Sequence, residues 1–224
     1  KAASWPLVSR NARRHSPGMS AASVGEGAKR ALDVVLSGVG LVASAPVLAA
    51  AATAVAFEDG APVLFRQERL GLNRKPFMVL KLRTMRDGQP TQVGAWLRTS
   101  GLDELPQLLN VWRGEMSLVG PRPLTSEHIH RLGWDKRAYG VRFEVSPGLT
   151  GPVQVFGAVS APDSAGLERA YVRRRGVRTD LAILGATGLM LVAGRDRVHR
   201  LLRRGLGAKL EKWKTADASA SGET

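Results

Sequence analysis

The 224-residue chain contains no cysteine, which removes disulfides and thiolate metal sites and is compatible with a cytosol-facing location. Its four histidines, His15, His128, His130 and His199, lack the spacing with Asp or Glu that a transition-metal site needs. Aromatic residues make up 5% of the chain, and it holds no aromatic-interleaved basic patch, helix-turn-helix or zinc finger. Acidic residues are few as well: 19 Asp and Glu stand against 33 Lys and Arg, a formal net charge of +14. Such a balance implies an anionic partner, whether nucleic acid, acidic lipid or a phosphorylated substrate. The nucleic-acid reading rests on charge alone and leaves the longest apolar run unexplained. No internal repeat is apparent.

That run covers residues 34–57, 24 positions without a charge. At about 1.5 Å per residue a straight helix of this length reaches about 36 Å, enough to span a bilayer. Pro46 lies at its midpoint, where a helix loses a hydrogen bond and kinks. Both flanks are basic: Lys29 and Arg30 before it, Arg66, Arg69, Arg74, Lys75, Lys81 and Arg83 after it. Positive charge normally marks the cytoplasmic side, and here it marks both ends. A helix–break–helix hairpin that enters and leaves one leaflet satisfies both facts. A single span and a buried soluble helix are the alternatives.

Around this element the chain divides into four parts. Residues 1–28, rich in Ala, Ser, Arg and Gly, read as a mobile basic tail. Residues 29–58 form the membrane element and 59–194 a compact domain of helices and short strands. Residues 195–224 read as a basic amphipathic helix and tail, with Val198, Leu201, Leu202, Leu206 and Leu210 on one face. Within the domain, residues 63–65 and 77–80 favour extended structure. Apolar positions at 105, 108, 109 and 112 predict a helix that starts near Leu102 or Asp103, with Pro106 in its first turn. Residues 127–139 form a mixed polar helix candidate. The apolar stretch 181–193 is too short to span and reads as a helix on the core or in the interface.

The strongest chemical signal is Leu102-Asp103-Glu104-Leu105-Pro106-Gln107, followed by Ser117-Leu118-Val119-Gly120-Pro121-Arg122-Pro123. It sets two adjacent carboxylates at a helix start, where the helix dipole favours negative charge, and an arginine between two prolines. The same location favours a bound phosphate. A carboxylate held where phosphate also binds suggests phosphoryl chemistry, with a metal ion or Arg/Lys reconciling the charges. The plainer reading of Asp103 and Glu104 is a helix cap and its neighbour. Likewise, Lys81 and Arg83 could be edge-strand charges and Asp180 a buried structural acid.

These motifs resemble, in order and spacing, those of the monotopic phosphoglycosyl transferases, bacterial sugar transferases that move a sugar-1-phosphate onto a polyprenyl phosphate. The resemblance covers residues 29–194. It runs from Lys29-Arg30 and Asp33 through Phe65-Arg66-Gln67, Arg69, Gly71 and Lys81-Leu82-Arg83-Thr84-Met85. It continues with Leu97-Arg98, the Asp103-Glu104 segment, the Pro121-Arg122-Pro123 segment, and Arg142 with Pro147-Gly148-Leu149-Thr150-Gly151. Tyr171-Val172 and Asp180-Leu181 close it.

The resemblance implies a mainly α protein with short β segments, a re-entrant membrane helix bent at Pro46, and a compact cytosolic α/β catalytic domain. It places the protein at the bacterial inner membrane, with the catalytic domain facing the cytoplasm. It implies that Asp103 attacks the β-phosphate of a nucleoside diphosphate sugar, expected to be a UDP-sugar. A polyprenyl phosphate, undecaprenyl phosphate, then accepts the phosphosugar and starts a glycoconjugate or exopolysaccharide. Glu104 would assist proton transfer or orient the acceptor, and Mg²⁺ would sit at Asp103. Lys81, Arg83, Arg98, Arg122, Arg142, Gln154 and Asp180 are the expected substrate and phosphate contacts. Arginine suits that role because its planar fork donates two parallel bonds. Anionic inner-leaflet lipids are further expected partners, nucleic acid is not, and a homodimer is left open.

The sequence departs from the family pattern at several points. Ala158 stands where an arginine is usual, with Arg173, Arg174 and Arg175 as candidate substitutes. Pro152-Val153 replaces a larger residue before Gln154, and Glu168 stands for an aspartate. Ala45 replaces a serine before Pro46, and Ser44 is the candidate to serve the backbone group freed there. A catalytically impaired membrane scaffold is therefore the alternative function.

Overall fold

One helix organises the chain. In the computed structural model, which describes residues 21–135, 137–157 and 161–202, helix α1 (Ala21–Asp59) runs for 39 residues, about 58 Å at about 1.5 Å per residue. It takes in residues 21–28, expected as tail, and it continues through Pro46. The expected break is therefore not a loss of helix. The reason lies in packing: Asp33, Ser37, Ala51 and Val55 are buried on one helical face, and tertiary contact outweighs one missing hydrogen bond. Ser44 donates to the Leu41 carbonyl at 3.5 Å, so it does not serve the Val42 carbonyl that Pro46 leaves free.

Both ends of α1 are tied to the following domain. Near its start Arg30 donates to the carbonyls of Val111 and Trp112 at 2.7 and 2.8 Å, and Asp33 accepts from the Leu118 N–H at 3.0 Å. At its end Glu58 accepts from the N–H groups of Gln92 and Val93, while Asp59 pairs with Arg83 and Arg86. The outward face stays apolar and exposed at Val35, Val39, Val42 and Phe57. By length and composition α1 could cross a membrane, and only 11% of its most apolar window is buried.

Strands β1 (Leu64–Leu70) and β2 (Pro76–Leu82) form an antiparallel hairpin that places Phe65 opposite Lys81 and Arg69 opposite Phe77. Opposed residues share a face and alternate residues repeat it, so Arg69, Gln67 and Lys81 lie on one side. The hairpin confirms extended structure at 64–65 and 77–80, with Val63 just before β1. A two-residue pair follows, β3 (Met85–Arg86) with β4 (Gln89–Pro90). Helix α2 (Gln92–Ser100) is capped by Thr91, whose hydroxyl accepts from the Gly94 N–H at 2.9 Å.

Helix α3 (Gln107–Arg113) packs on α1 and β2. Strand β5 (Ser117–Val119) pairs in parallel with β6 (Gly148–Thr150). Between them lie α4 (Ser126–Arg131) and a 3-10 stretch, Arg137–Phe143. The helix expected over 127–139 ends early where Gly133 takes φ 66. Helices α5 (Pro152–Phe156), α6 (Ala161–Arg174) and α7 (Val177–Ala193) complete the domain. Residues 195–202 are also helical, and the rest of the basic tail lies outside the described residues.

The main core gathers Val79, Leu108, Val111, Met116, Leu118, Val155, Tyr171 and Ile183. Asn110, fully buried within it, sews α3 to the free edge of β2. Its Nδ2 donates to the Met78 carbonyl at 2.8 Å and its Oδ1 accepts from the Leu80 N–H at 3.1 Å. This fixes the middle of α3 against the hairpin that carries Lys81.

Candidate active site

Asp103 and Glu104 sit in a 3-10 turn, Leu102–Glu104, entered through Gly101 at φ 74. A glycine is suited to that left-handed conformation. Sequence spacing predicts one helix starting near Leu102 or Asp103. Instead the 3-10 turn comes first and α3 begins at Gln107. Pro106 explains the difference: it has no N–H for the α-helical bond to Leu102, whose carbonyl is taken by the Leu105 N–H at 3.3 Å.

Two cations converge on Glu104. Lys81 Nζ lies 2.7 Å, and Arg122 Nη2 2.6 Å, from the same oxygen, Oε1. Burial pushes the Glu104 pKa up, but Arg122 and Lys81 outweigh it and hold the group at about 2. Asp103 differs. It is buried, and burial raises its pKa, while Lys81 and Arg98 pull it down and Glu104 pushes it up. Among the described residues no side chain donates to its carboxylate. Arg98 is exposed and reaches Asp103 through space.

Arg69 belongs to the same group, although it is not among the site residues that the motifs predict. It stands close enough to feel Arg122 and Glu104, and the available signal was its place on the Lys81 face of the hairpin. Four cations, Lys81, Arg69, Arg98 and Arg122, thus face two carboxylates. The excess is two positive charges.

The segment carrying Arg122 is held by its main chain. Four successive carbonyls accept from three elements: Pro121 from the Gly148 N–H of β6, Arg122 from Arg142 Nη2 of the 3-10 stretch, and Pro123 and Leu124 from Arg69 Nη1 and the Leu70 N–H of β1. The Arg122 side chain nevertheless remains 46% exposed. A fixed base with a half-exposed guanidinium suits ligand contact.

The other expected site residues lie elsewhere. Arg142 is buried, pairs with Glu168 at 3.4 Å, and stacks over Trp134. It therefore positions Arg122 from behind instead of facing the carboxylates. Burial raises the Glu168 pKa to about 7 despite Arg142. Arg83 pairs with the Asp59 carboxylate and donates from Nη2 to the carbonyls of Asp59 and Gly60, so it anchors the end of α1. Asp180 is held by Lys29 at 2.5 Å and by the Tyr171 hydroxyl at 2.9 Å, in a cluster that joins α1, α6 and α7. The Gln154 amide is buried in α5 and has no hydrogen-bond partner among the described residues. Ala158 lies outside the described residues.

Comparison with known proteins shows the family of the chain. The profile of the bacterial sugar transferase family matches residues 24–194. The UDP-glucose:undecaprenyl-phosphate glucose-1-phosphate transferase of Caulobacter vibrioides is 43% identical over 158 residues, which are 64% of this chain and 59% of that protein. The Escherichia coli protein of the same name is 36% identical over 180 residues, 71% of this chain and 39% of its own length. The exopolysaccharide production protein ExoY of Rhizobium meliloti is 34% identical over 195 residues, 73% of this chain and 85% of that protein. The chain thus spans less than two thirds of the first two relatives and most of the third.

Proposed function

The chain belongs to the bacterial sugar transferase family, and from that premise we propose that it moves a sugar-1-phosphate from a UDP-sugar to undecaprenyl phosphate through a covalent intermediate on Asp103. The observation that carries this reading is the pairing of a carboxylate free of cation hydrogen bonds with a surrounding excess of two positive charges. A nucleoside diphosphate sugar brings two negative charges on its diphosphate. Relatives named as undecaprenyl-phosphate transferases support the acceptor class.

In the first step an Asp103 oxygen attacks the sugar-bearing phosphorus. The bond from that phosphorus to the bridging oxygen breaks, and the nucleoside monophosphate leaves with that oxygen. In the second step a phosphate oxygen of the acceptor attacks the same phosphorus. The Asp103–phosphorus bond breaks, giving a polyprenyl diphosphate sugar and the free carboxylate. Lys81 and Arg122 neutralise the equatorial oxygens in both steps. Glu104, held at about 2 while it keeps those cations, is a weak base in the free protein; in the reaction it assists proton transfer or orients the acceptor.

Mg²⁺ fits this site. Asp103 would hold it, since magnesium is commonly bound by one or two carboxylates, water and substrate phosphates. Among the described residues no group of three or more His, Cys, Asp or Glu forms a self-sufficient metal site. When bound, the cation screens carboxylate from diphosphate. The exposed apolar face of α1 supports attachment to the inner membrane, with the domain on the cytoplasmic side. The test is release of nucleoside monophosphate from a panel of UDP-sugars by detergent-solubilised protein with Mg²⁺ and undecaprenyl phosphate. Release with at least one sugar supports the reading, and none across the panel contradicts it.

A further inference from the structure

We propose that the Glu104 carboxylate is a resident stand-in for substrate phosphate: it occupies the subsite formed by Lys81 and Arg122 in the free protein and gives up both cations when a diphosphate enters. The proposal rests on the phosphoryl-transfer reading and adds how its anion subsite is kept ready.

Three observations carry it. Lys81 and Arg122 both address Oε1, at 2.7 and 2.6 Å, while Oε2 accepts no hydrogen bond among the described residues. A carboxylate serving as a permanent partner of arginine commonly engages the fork with both oxygens. One oxygen flanked by an ammonium and a guanidinium is instead the setting of a terminal phosphoryl oxygen. Next, only side chains need to move. The main chain of residues 121–124 is pinned at every carbonyl, yet the Arg122 side chain is 46% exposed. Finally, an empty subsite would leave Lys81, Arg122 and the nearby Arg69 repelling one another in a partly desolvated place. Glu104 relieves that repulsion and, in return, competes with the substrate.

The test measures binding of inorganic pyrophosphate to the full detergent-solubilised chain by calorimetry, with chelator present. Glu104→Gln should bind at least tenfold more tightly than the native protein, because the competing anion is gone. Glu104→Asp keeps the charge but is one carbon too short to hold both cations, and should bind at least threefold more tightly. Asp103→Asn removes one charge from the same cluster without releasing Lys81 or Arg122, and should gain clearly less than Glu104→Gln. Equal or weaker binding by both Glu104 variants overturns the proposal, as does an equal gain from Asp103→Asn or no binding by any form. If Glu104→Gln fails to fold, Glu104→Asp decides alone, by the same criterion. Phosphosugar formation on the native protein is measured separately. An adduct on Asp103 without tighter binding by the Glu104 variants sinks this proposal and leaves the reaction standing.

Discussion

Arg142 donates from Nη2 to the main-chain carbonyl of Arg122 at 2.6 Å, so one arginine fixes the base from which another reaches out. The two should respond oppositely to mutation. Arg122→Lys should leave the melting temperature within a degree or two while losing most activity, since a point charge cannot reproduce a bidentate contact. Above about pH 7, where Glu168 is ionised, Arg142→Met strands that buried carboxylate and should cost about 3–5 kcal/mol of stability, the range for breaking a buried pair. Thermal unfolding and turnover, measured on both variants, separate the roles. Equal melting losses would contradict the assignment.

Glu168 gives the fold a pH dependence. Its folded pKa of about 7 lies above its ordinary 4.5, so the folded state binds a proton that the unfolded chain releases between those values. Its contribution is fully present below pH 4.5 and is lost as pH rises through about 7. Melting temperature should therefore fall across that window, and Glu168→Gln should flatten the fall. An unchanged slope in the variant would show that Glu168 is ionised throughout.

Arg98 lowers the Asp103 pKa that burial raises. Removing the cation should raise it further. Arg98→Gln should thus move the acid limb of the rate profile to higher pH, because the attacking group must be ionised. A limb that stays in place would disconnect Arg98 from Asp103.

Two glycines position the Asp103 turn by different means. A Cβ on Gly94 would stand 2.1 Å from the Thr84 carbonyl oxygen, a main-chain clash that should cost about 1–3 kcal/mol as overpacking. Gly101 has open space around it but sits at φ 74, so alanine there should cost about 1–2 kcal/mol through backbone strain alone. Denaturant unfolding of both alanine variants checks each loss. Gly101→Asn should recover part of the loss, while Gly94→Asn should not.

Legibility followed distance along the chain. The extended segments of the hairpin, the adjacency of the two carboxylates and the constraint on Arg122 are legible because each is set by neighbours: β-favouring runs, consecutive residues of one motif, prolines on either side. Lys81 was found for the same reason. The split of the 3-10 turn from α3 at Pro106 is not legible in this way. Arg83, Arg142 and Asp180 were given to the site because a charged residue in a motif looks alike whichever way it points. Their partners, Asp59, Glu168 and Lys29, come together only in the tertiary fold. Pro46 shows the same limit, since packing along the full face of α1 decided whether the helix continued.

The attachment of both ends of α1 to one domain predicts that both lie on the cytoplasmic side. Ala28→Cys and Ala61→Cys, made separately in a chain without native cysteine, should resist a membrane-impermeant thiol reagent in intact cells and react after permeabilisation. Labelling of just one position in intact cells would establish a span.

The central claim is a covalent phosphosugar on Asp103. The protein is incubated with a UDP-sugar that it turns over and Mg²⁺, but without acceptor lipid, then quenched and digested for mass spectrometry. The peptide containing Asp103 should carry the mass of one sugar phosphate. The adduct should disappear when undecaprenyl phosphate is added and be absent from Asp103→Asn. Nucleoside monophosphate release with no adduct on that peptide, or an adduct that persists in Asp103→Asn, would contradict the account.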